Sequence, residues 1–312
     1  MKCLVLGGGG FLGSHLTEAL LAIGHSVRVF EKRGFSRGNL AGVLGDIELI
    51  EGSEEDQPRL EEAFRGVDVL FHLAGTTNPA TSNQDTLYDV TSNVLPALRV
   101  LAEASRRPLK KLIFFSSGGT VYGIPQRIPI DEGHPTNPIS SYGIHKLTIE
   151  KFLGLHAHLY GLRYVTLRIS NAYGERQSPT SGQGVVAAFL HGALRHEALE
   201  VWGDGTAVRD YVHVSDIVAA AVKAAEYKGT ESVFNIGSGV GTSVLDVLRG
   251  VEGLVEYPLR VRFSAARDHD VPVSILDTSR AREHLDWAAR IGLLEGMART
   301  RTYLEASLTQ RH

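Results

Sequence analysis

Tyr142 and Lys146 are the residues of this chain whose types and spacing point most directly to catalysis. They are four positions apart and follow Asn137-Pro138, in which a capping side chain precedes a residue whose fixed φ suits the first turn of a helix. A helix would place both on one face, where the ammonium favours the ionised phenol as a general base near neutral pH. The alternative is a packed tyrosine beside a surface lysine. The rest of the sequence has to distinguish that structural pair from a catalytic one.

A glycine-rich stretch near the N-terminus has the pattern of a dinucleotide-binding loop. An apolar run at residues 3–6 is followed by three glycines with G-x-x-G-x-x-G spacing and by helical periodicity over residues 11–21. Glycines let the backbone approach a pyrophosphate whose charge faces the helix N-terminus, although a tight packing turn would have the same pattern. The residues predicted to bind the cofactor here are Gly7, Gly10, Phe11, Leu12 and Gly13.

An acidic residue ends the second apolar run. Residues 27–30 are β-branched or aromatic apart from Arg28, and Glu31 follows at about the twenty-residue distance at which a carboxylate binds the adenosine ribose hydroxyls. This carboxylate would repel the 2′-phosphate of NADP, so NAD is the predicted cofactor. Lys32, which we also expect at the cofactor, and Arg33 carry the opposite charge and weaken that preference.

Alternating strand and helix patterns predict an α/β fold with a Rossmann-type, doubly wound parallel sheet. Further strand-like runs lie at residues 47–50, 67–73, 112–115 and 164–167, and helical patterns separate them at 57–64, 87–104 and 138–160. We expect residues 1–168 to form an NAD-binding domain to which later segments, about 205–240, return. Residues 169–312 would then form mainly a smaller C-terminal α/β substrate lobe.

Small and polar residues follow the fourth and fifth predicted strands, where carboxyl ends of parallel strands face a ligand. Asn93, an isolated amide in an apolar helix, is grouped with the cofactor site through a structural bond to a neighbouring active-site loop. A capping turn is the alternative for the threonines after the fourth strand. The strand-end residues are Leu73, Ala74, Gly75 and Thr77, and then Ser116 and Ser117.

The composition is that of an ordinary soluble protein, with 43% hydrophobic and 21% charged residues and a net charge of -3. No basic run suggests nucleic acid or a membrane surface, and no apolar run is long enough for a membrane span. The one cysteine, Cys3, and the absence of a cleavable leader before the glycine loop predict a cytoplasmic protein. The 13 histidines show no metal-ligand spacing, so no metal is expected.

Taken in order, these features resemble the extended short-chain dehydrogenase/reductase family, in particular nucleotide-sugar epimerases of the UDP-glucose 4-epimerase type. The match comprises the glycine spacing, Glu31, the Leu-Ala-Gly run at Leu73, the Ser-Ser-x-x-x-Val-Tyr-Gly run at Ser116, and Tyr142-x-x-x-Lys146. The resemblance implies a tightly held NAD, Tyr142 as acid and base, and Lys146 on the nicotinamide ribose while lowering the tyrosine pKa. It also implies a homodimer built from helices 84–105 and 138–160 of each subunit.

The resemblance assigns substrate residues in the second half of the chain. Asn171 would bond the diphosphate or the sugar, Arg209 and Arg267 the diphosphate, and Asp270 a ribose or a loop. A planar, permanently charged guanidinium suits a nucleoside diphosphate, which the resemblance implies is UDP-linked. A surface ion pair with Asp210 is the alternative for Arg209.

Two departures from the family pattern concern the sugar. Gly118 stands where the family has a serine or threonine, so Thr120, Ser117 or a water would supply the missing hydroxyl, or the glycine makes the pocket wider. Ser274 lies four residues after Asp270, at a position where the 4-epimerases that accept N-acetylhexosamines have a small residue. We therefore expect enlarged sugars to be accepted.

These features predict an NAD-dependent nucleotide-sugar 4-epimerase, an isomerase of the UDP-glucose/UDP-galactose or UDP-N-acetylhexosamine type, acting by transient oxidation at sugar C4. A nucleotide-sugar dehydratase or decarboxylase would carry an acid where Gly119 and Thr120 stand, and a reductase would want an active-site cysteine, whereas Cys3 is in the wrong strand. A non-catalytic NAD sensor is the other alternative. Gly118 favours it, and the intact tyrosine and lysine oppose it.

Overall fold

The computed structural model describes residues 1–266 and 271–309, which contain thirteen strands and ten α-helices. The strands are β1 (Lys2–Leu6), β2 (Ser26–Glu31), β3 (Ile47–Glu51), β4 (Val69–His72), β5 (Lys111–Ser117), β6 (Tyr164–Ile169), β7 (Asn171–Tyr173), β8 (Leu199–Trp202), β9 (Val208–His213), β10 (Val233–Ile236), β11 (Gly241–Ser243), β12 (Val261–Ser264) and β13 (Val273–Ser274). The helices are α1 (Phe11–Ala22), α2 (Gln57–Ala63), α3 (Thr86–Asp89), α4 (Leu95–Ser105), α5 (Ser141–Tyr160), α6 (Val185–Leu194), α7 (Val214–Glu226), α8 (Val244–Val255), α9 (Ser279–Leu285) and α10 (Leu293–Thr309). A 3₁₀ turn covers Gly38–Leu40, and a π-helical turn covers Val90–Val94.

The central layer is a seven-stranded parallel sheet with the order β10-β6-β5-β4-β1-β2-β3. All four residues of β4 are buried, as expected for a strand that helices cover on both faces. The predicted doubly wound parallel sheet is therefore confirmed. Its outer strand β10 pairs with β6, so a late segment of the chain completes the sheet, while the division at residue 168 stays a prediction.

Alternation along the strands sends apolar side chains to two cores. Cys3 and Val5 pack on one face against α1 and α7, and Leu4 and Leu6 pack on the other against α2, α4 and α5. The helix that carries Tyr142 therefore covers the second face. Among the described residues no helix is both long and apolar enough to cross a membrane.

The remaining elements form a smaller α/β unit. Strand β9 pairs with β7 and β13 in parallel and with β11 antiparallel, and β8 pairs with β12. Helices α6, α8 and α10 bury a third apolar core against these strands, centred on Phe189, Val247 and Met297. Strand β9 lies beside β7, which follows β6 directly, so this unit adjoins the carboxyl ends of the central strands.

Helix α5 begins later than the sequence predicts. Asn137-Pro138 lies before the helix, and the cap is Ser140, whose hydroxyl accepts a hydrogen bond of 3.2 Å from the Gly143 backbone N–H. A β-carbon on Gly123 would lie 1.9 Å from the Asn137 carbonyl oxygen, so this stretch packs tightly on the loop after β5. That packing delays the helix by one turn.

The predicted helix over residues 84–105 is interrupted. Helix α3 passes into the π-helical turn Val90–Val94, and α4 begins with a proline, Pro96, in its first turn. Proline has no N–H to bond the carbonyl four residues back, and π-turns absorb such a break. Asn93 lies in this turn.

Asp216 lies in the first turn of α7 and does not cap that helix. Helix α7 starts at Val214, and its cap is His213, whose Nδ1 accepts from the Ser215 N–H at 3.3 Å. The Asp216 carboxylate instead accepts from the Ile291 N–H at 2.9 Å. It therefore fastens the segment before α10 to the first turn of α7.

A buried ion pair ties α5 to the sheet. Arg168 at the end of β6 lies 2.6 Å from Glu150 on α5, and Ser116 donates to the same carboxylate. Arg168 also donates to the Tyr122 hydroxyl at 3.0 Å, which donates to Asn235 of β10 at 2.7 Å. The pair thus joins α5, β5, β6 and β10 in one network.

We expect Arg168→Met to destabilise the fold by about 3–5 kcal/mol, because it leaves the Glu150 carboxylate buried without its counter-charge. Urea denaturation followed by circular dichroism measures the change. The matched control is Arg299→Met, which removes the exposed pair with Glu295 and should cost less than about 1 kcal/mol. Equal losses in the two variants would contradict a structural role for the buried pair.

Candidate active site

A cleft of about 440 Å³ opens where the carboxyl ends of the central strands meet the smaller unit. Open α/β sheets bind ligands at this edge, so its position agrees with the expectation from the strand order. The wall brings together thirteen of the predicted site residues: Gly7, Gly10, Phe11, Leu12, Gly13, Leu73, Ser116, Ser117, Thr120, Tyr142, Lys146, Asn171 and Arg209.

The glycine loop has the geometry that a pyrophosphate needs. Gly7 has a φ of +81°, and a β-carbon on Gly13 would lie 2.1 Å from the Gly7 carbonyl oxygen, so side chains are excluded at both positions. Helix α1 starts after Gly10 without a side-chain cap, which leaves N–H groups of its first turn available to an anion. The loop can therefore hold the diphosphate of a dinucleotide.

Glu31 lies beside this loop at the end of β2. One carboxylate oxygen accepts from the Gly9 N–H at 3.0 Å and the other from the Lys32 N–H at 3.1 Å. Each oxygen keeps a lone pair that a ribose hydroxyl could use. Glu31 and the exposed Lys32 are not on the cleft wall itself, and their contact with a cofactor stays a prediction.

Tyr142 and Lys146 lie on one face of α5, as predicted. The Lys146 ammonium is 5.6 Å from the centre of the Tyr142 ring and donates to the Phe115 carbonyl at 3.1 Å. Lys146 is buried, whereas Tyr142 is half-buried at the cleft wall. The phenol therefore faces the cleft with a fixed cation behind it.

The protonation of the pair differs from the expectation. Burial lowers the pKa of Lys146 to about 8. Burial, followed by the charge of Asp89, raises the pKa of Tyr142 to about 12, whereas the family resemblance predicts a lowered value. The ammonium lies over the ring and bonds a backbone carbonyl, so in the protein alone it does not offset the burial of the phenol.

Gly118 does not face the cleft, so the expectation that it widens the pocket is wrong. Its N–H continues the strand pairing to the Ile169 carbonyl at 2.7 Å, and a β-carbon there would lie 2.6 Å from Leu276. The open position is Gly119, which lines the cleft and whose β-carbon would approach only Asn171, at 3.7 Å.

Two hydroxyl groups remain near Tyr142. Thr120 and Ser117 both line the cleft, and the Thr120 hydroxyl oxygen is buried without a hydrogen-bond partner among the described residues. A buried unpaired hydroxyl at a cleft wall fits one that bonds a ligand. Ser116 also reaches the wall, but its hydroxyl donates to Glu150 and is structural.

Asn93 makes the structural bonds expected of it. Its side-chain oxygen accepts from the Thr76 N–H at 2.9 Å, and its amide donates to the Thr77 hydroxyl at 3.0 Å. Thr77, Ala74 and Gly75 do not line the cleft, so Thr77 supports the loop behind it.

On the substrate side, Asn171 of β7 and Arg209 of β9 line the cleft. The Asp210 carboxylate faces away, is buried, and accepts from the Ser238 N–H at 2.7 Å, so the surface ion pair considered for Arg209 is wrong. Ser274 of β13 pairs with Arg209 of β9, and it is buried and not on the cleft wall. Arg267 and Asp270 lie outside the described residues.

Residues that the sequence does not single out surround the start of α5. Asp89 is buried and accepts a hydrogen bond of 2.6 Å from Ser141, while Ser82 accepts from the Tyr142 N–H at 3.1 Å. His145 lies between Asp89 and the Tyr142 ring. The one feature of the sequence that could have pointed to these residues is the position of Asp89. It is four residues before Asn93 and so on the same face of the predicted helix.

A serine should be tolerated at position 119 and not at position 118. Gly118→Ser should cost about 1–3 kcal/mol of stability because its side chain meets Leu276 and the Arg168 carbonyl. Gly119→Ser should change stability by less than about 0.5 kcal/mol because its side chain enters the open cleft. Thermal unfolding of both variants tests this, and a reversed order would mean that the loop has a different backbone path.

Known proteins resemble this chain over nearly its whole length. Residues 3–237 match the model of the NAD dependent epimerase/dehydratase family. The UDP-glucose 4-epimerase of Mycolicibacterium smegmatis is 37% identical over 306 residues, which cover 96% of this chain and 97% of that protein. The Thermotoga maritima UDP-glucose 4-epimerase, solved with UDP-glucose, has a TM-score of 0.94 at 36% identity, covering 99% and 100% of the two chains. The Thermus thermophilus UDP-glucose 4-epimerase, solved with NAD, has a TM-score of 0.92 at 31% identity, covering 98% and 100%. This chain therefore belongs to the NAD dependent epimerase/dehydratase family.

Proposed function

We propose that this protein is a nucleotide-sugar 4-epimerase that interconverts UDP-glucose and UDP-galactose. The observation that carries the proposal is one cleft whose wall includes the glycine loop, Tyr142, Lys146 and Arg209 together. The loop suits a dinucleotide, the guanidinium suits a nucleoside diphosphate, and the phenol lines the same cleft. Relatives named UDP-glucose 4-epimerase that match nearly the whole chain support the choice of sugar.

The N-terminal half of the cleft fits NAD. The uncapped start of α1 would hold the pyrophosphate, Glu31 the adenosine ribose, and Lys146 the nicotinamide ribose. NAD bound here supplies a reversible hydride acceptor, which makes oxidation of a sugar hydroxyl feasible. The other half of the cleft provides Asn171 and Arg209 for the diphosphate.

Tyr142 would act as the base and then as the acid. The phenolate would accept the proton of the C4 hydroxyl while C4 is oxidised to the ketone, the NAD held by the glycine loop, Glu31 and Lys146 supplying the two-electron oxidant. Once the sugar has turned, the phenol would return its proton to the C4 oxygen as that carbon is reduced again from its opposite face. Positive charge from Lys146 and from the oxidised nicotinamide favours the phenolate, because charges act strongly at a buried wall.

Thr120 is the residue we propose in place of the hydroxyl that Gly118 lacks. Its oxygen is buried and unpartnered among the described residues, and it lies on the same wall as Tyr142. It can donate to the sugar oxygen or to the phenolate while accepting from a substrate hydroxyl. Ser117 is the second hydroxyl on this wall.

Other reactions suit the cleft less well. None of the described residues on its wall is aspartate or glutamate, and dehydration or decarboxylation would use an acid beside the tyrosine. Gly119 and Thr120 face the cleft at the positions where that acid would stand. A sensor that only binds NAD would have no use for a phenol and an ammonium held on one helical face.

Turnover tests the proposal. Purified protein should convert UDP-galactose into UDP-glucose, measured by separating the two sugars after the reaction, and Tyr142→Phe should lower kcat by at least about 10³-fold because the proton acceptor is gone. Thr120→Val should lower kcat about tenfold or more. UDP-N-acetylglucosamine is tested as a second substrate, because Gly119 leaves room in the cleft for its N-acetyl group. An unchanged rate in Tyr142→Phe, or no turnover by the unaltered protein, would overturn the assignment.

We propose that the protein is a homodimer formed by α3, α4 and α5. These neighbouring helices expose apolar side chains, which in a globular protein mark contact surfaces. The residues of these helices, and of the π-turn that joins α3 to α4, are Leu87, Tyr88, Val90, Leu95, Ile144, Leu155, Leu159 and Tyr160, with exposures of 40% to 73%.

A charge in this surface should separate the subunits. Leu159→Glu should yield a monomer in analytical ultracentrifugation, because burying an unpaired carboxylate in the interface is unfavourable. Leu294→Glu is the control, since Leu294 is 64% exposed but lies on α10, outside the proposed dimer surface of α3, α4 and α5. A monomeric unaltered protein, or a dimer that survives Leu159→Glu, would contradict this interface.

A further inference from the structure

Asp89 is a buried carboxylate to which the sequence assigns no role. It ends α3, has no solvent exposure, and does not line the cleft. A buried carboxylate is costly unless hydrogen bonds and positive groups compensate for the loss of water. The groups that compensate for Asp89 therefore show what it is built to hold.

Those groups converge from three segments. Ser141 on α5 donates to Asp89 at 2.6 Å, Thr77 donates from the loop after β4, and Asn93 donates from the π-turn at 3.2 Å. Burial raises the pKa of Asp89, but the hydrogen bonds from Ser141 and Thr77, together with one from His145, outweigh that effect and lower it. Asp89 therefore stays ionised at neutral pH.

His145 is the fourth partner and connects Asp89 to the catalytic side chain. Its Nδ1 lies 3.0 Å from both carboxylate oxygens, and because an ionised carboxylate only accepts, Nδ1 must carry the hydrogen. Burial lowers the pKa of His145 to about 4, so the ring is neutral near pH 7. Its edge packs against the Tyr142 ring with centroids 4.9 Å apart.

The backbone at the start of α5 is held from the same side. The Ser141 N–H donates to Asn83 at 2.8 Å, and the Tyr142 N–H donates to Ser82 at 3.1 Å. Loop residues thus satisfy N–H groups that a helix start leaves open. Together with Asp89 they fix where the first turn of α5, and hence the phenol, stands.

The charge of Asp89 also reaches the reacting groups. Burial has the larger effect on both pKa values, raising that of Tyr142 and lowering that of Lys146, and the negative charge of Asp89 acts upward on both. The other ionisable groups around the pair are Glu150 on α5, which raises the pKa of Lys146, and His72 on β4. Burial, followed by the charge of Lys146, lowers the pKa of His72 to about 3, so it is neutral.

We propose that Asp89 is a positioning residue for Tyr142, acting through Ser141 and His145, and that its negative charge sets the pH range in which Tyr142 and Lys146 work. The inference rests on the proposed function, since the pH range is that of the proposed turnover. Asp89 touches neither substrate nor cofactor in this assignment. Its effect should therefore be seen in kcat and in the pH profile, and not in KM.

The test is the pH dependence of kcat in Asp89→Asn. Removing the negative charge should lower the pKa of both Tyr142 and Lys146, so the acid and alkaline limbs of the profile should both move to lower pH, by about 0.5–1 unit. The KM for UDP-galactose should change less than about twofold. A variant that merely folds less well would lose activity at every pH without moving either limb.

His145 variants test the connection. His145→Phe keeps a ring edge against Tyr142 but removes the donor to Asp89, and should lower kcat about tenfold through misplacement of the phenol. His145→Asn places an amide N–H near the former Nδ1 and should recover most of that loss. The two variants also carry the test if Asp89→Asn does not fold.

Two matched controls test whether the effect requires the particular position of Asp89. One removes a negative charge elsewhere, and the other removes a contact between helices elsewhere. Asp85→Asn removes one exposed negative charge while keeping a residue that caps α3, so its profile should overlay that of the unaltered protein. Ser105→Ala removes the 2.7 Å contact with His156, which joins α4 to α5 about 21 Å along the helix from Tyr142. It should leave the profile in place as well.

The outcomes distinguish this inference from the proposed function. If the unaltered protein turns over UDP-galactose and the Asp89→Asn profile stays in place, the role of Asp89 is refuted and the function stands. If no nucleotide sugar is turned over, the function fails, and the tyrosine ring carbon signals of ¹³C-labelled protein decide the inference. The Tyr142 signal, identified by its loss in Tyr142→Phe, should titrate at lower pH in Asp89→Asn, and an unchanged midpoint refutes it.

Discussion

The position of α5 depends on a buried carboxylate at each of two points along it. Glu150 binds Arg168 at 2.6 Å and so fastens the middle of the helix to the sheet. Asp89 accepts a hydrogen bond from Ser141, the first residue of the helix. Tyr142 and Lys146 lie between these two anchors. Since breaking a buried charged pair is far more costly than losing a surface one, the helix cannot shift along its axis without a large loss of stability.

This arrangement lets a rigid scaffold present a chemically unusual pair. The Lys146 ammonium is buried with a backbone carbonyl as its hydrogen-bond acceptor, and the phenol stands at the boundary between protein and cleft. Burial shifts both side chains from their ordinary protonation behaviour, to pKa values of about 8 and about 12. Perturbed values of this kind are frequent at catalytic sites, where the surrounding fold offsets their cost.

The sequence predicts much of this, and its errors have physical causes. The glycine spacing and the Tyr142–Lys146 interval depend on local geometry, which the sequence encodes directly. Counting positions in a motif places Gly118 in the pocket, but β5 continues its pairing to β6 there and turns the position inward. The sequence offers only one weak signal for Asp89, its position one helical turn before Asn93, because its partners are brought near by the fold from segments separated by up to 56 residues, and no local pattern records such contacts.

The outer strand of the sheet has a consequence for biosynthesis. Strand β10 pairs with β6, and its Asn235 accepts a hydrogen bond from Tyr122 in the network that includes Glu150 and Arg168. Until the ribosome has released residue 236, β6 is an unpaired edge, and the Arg168 network is incomplete. Unpaired edges attract other strands, so the nascent chain passes through a stage in which its dinucleotide half is prone to aggregate, and this half completes its sheet only after residue 236 has emerged.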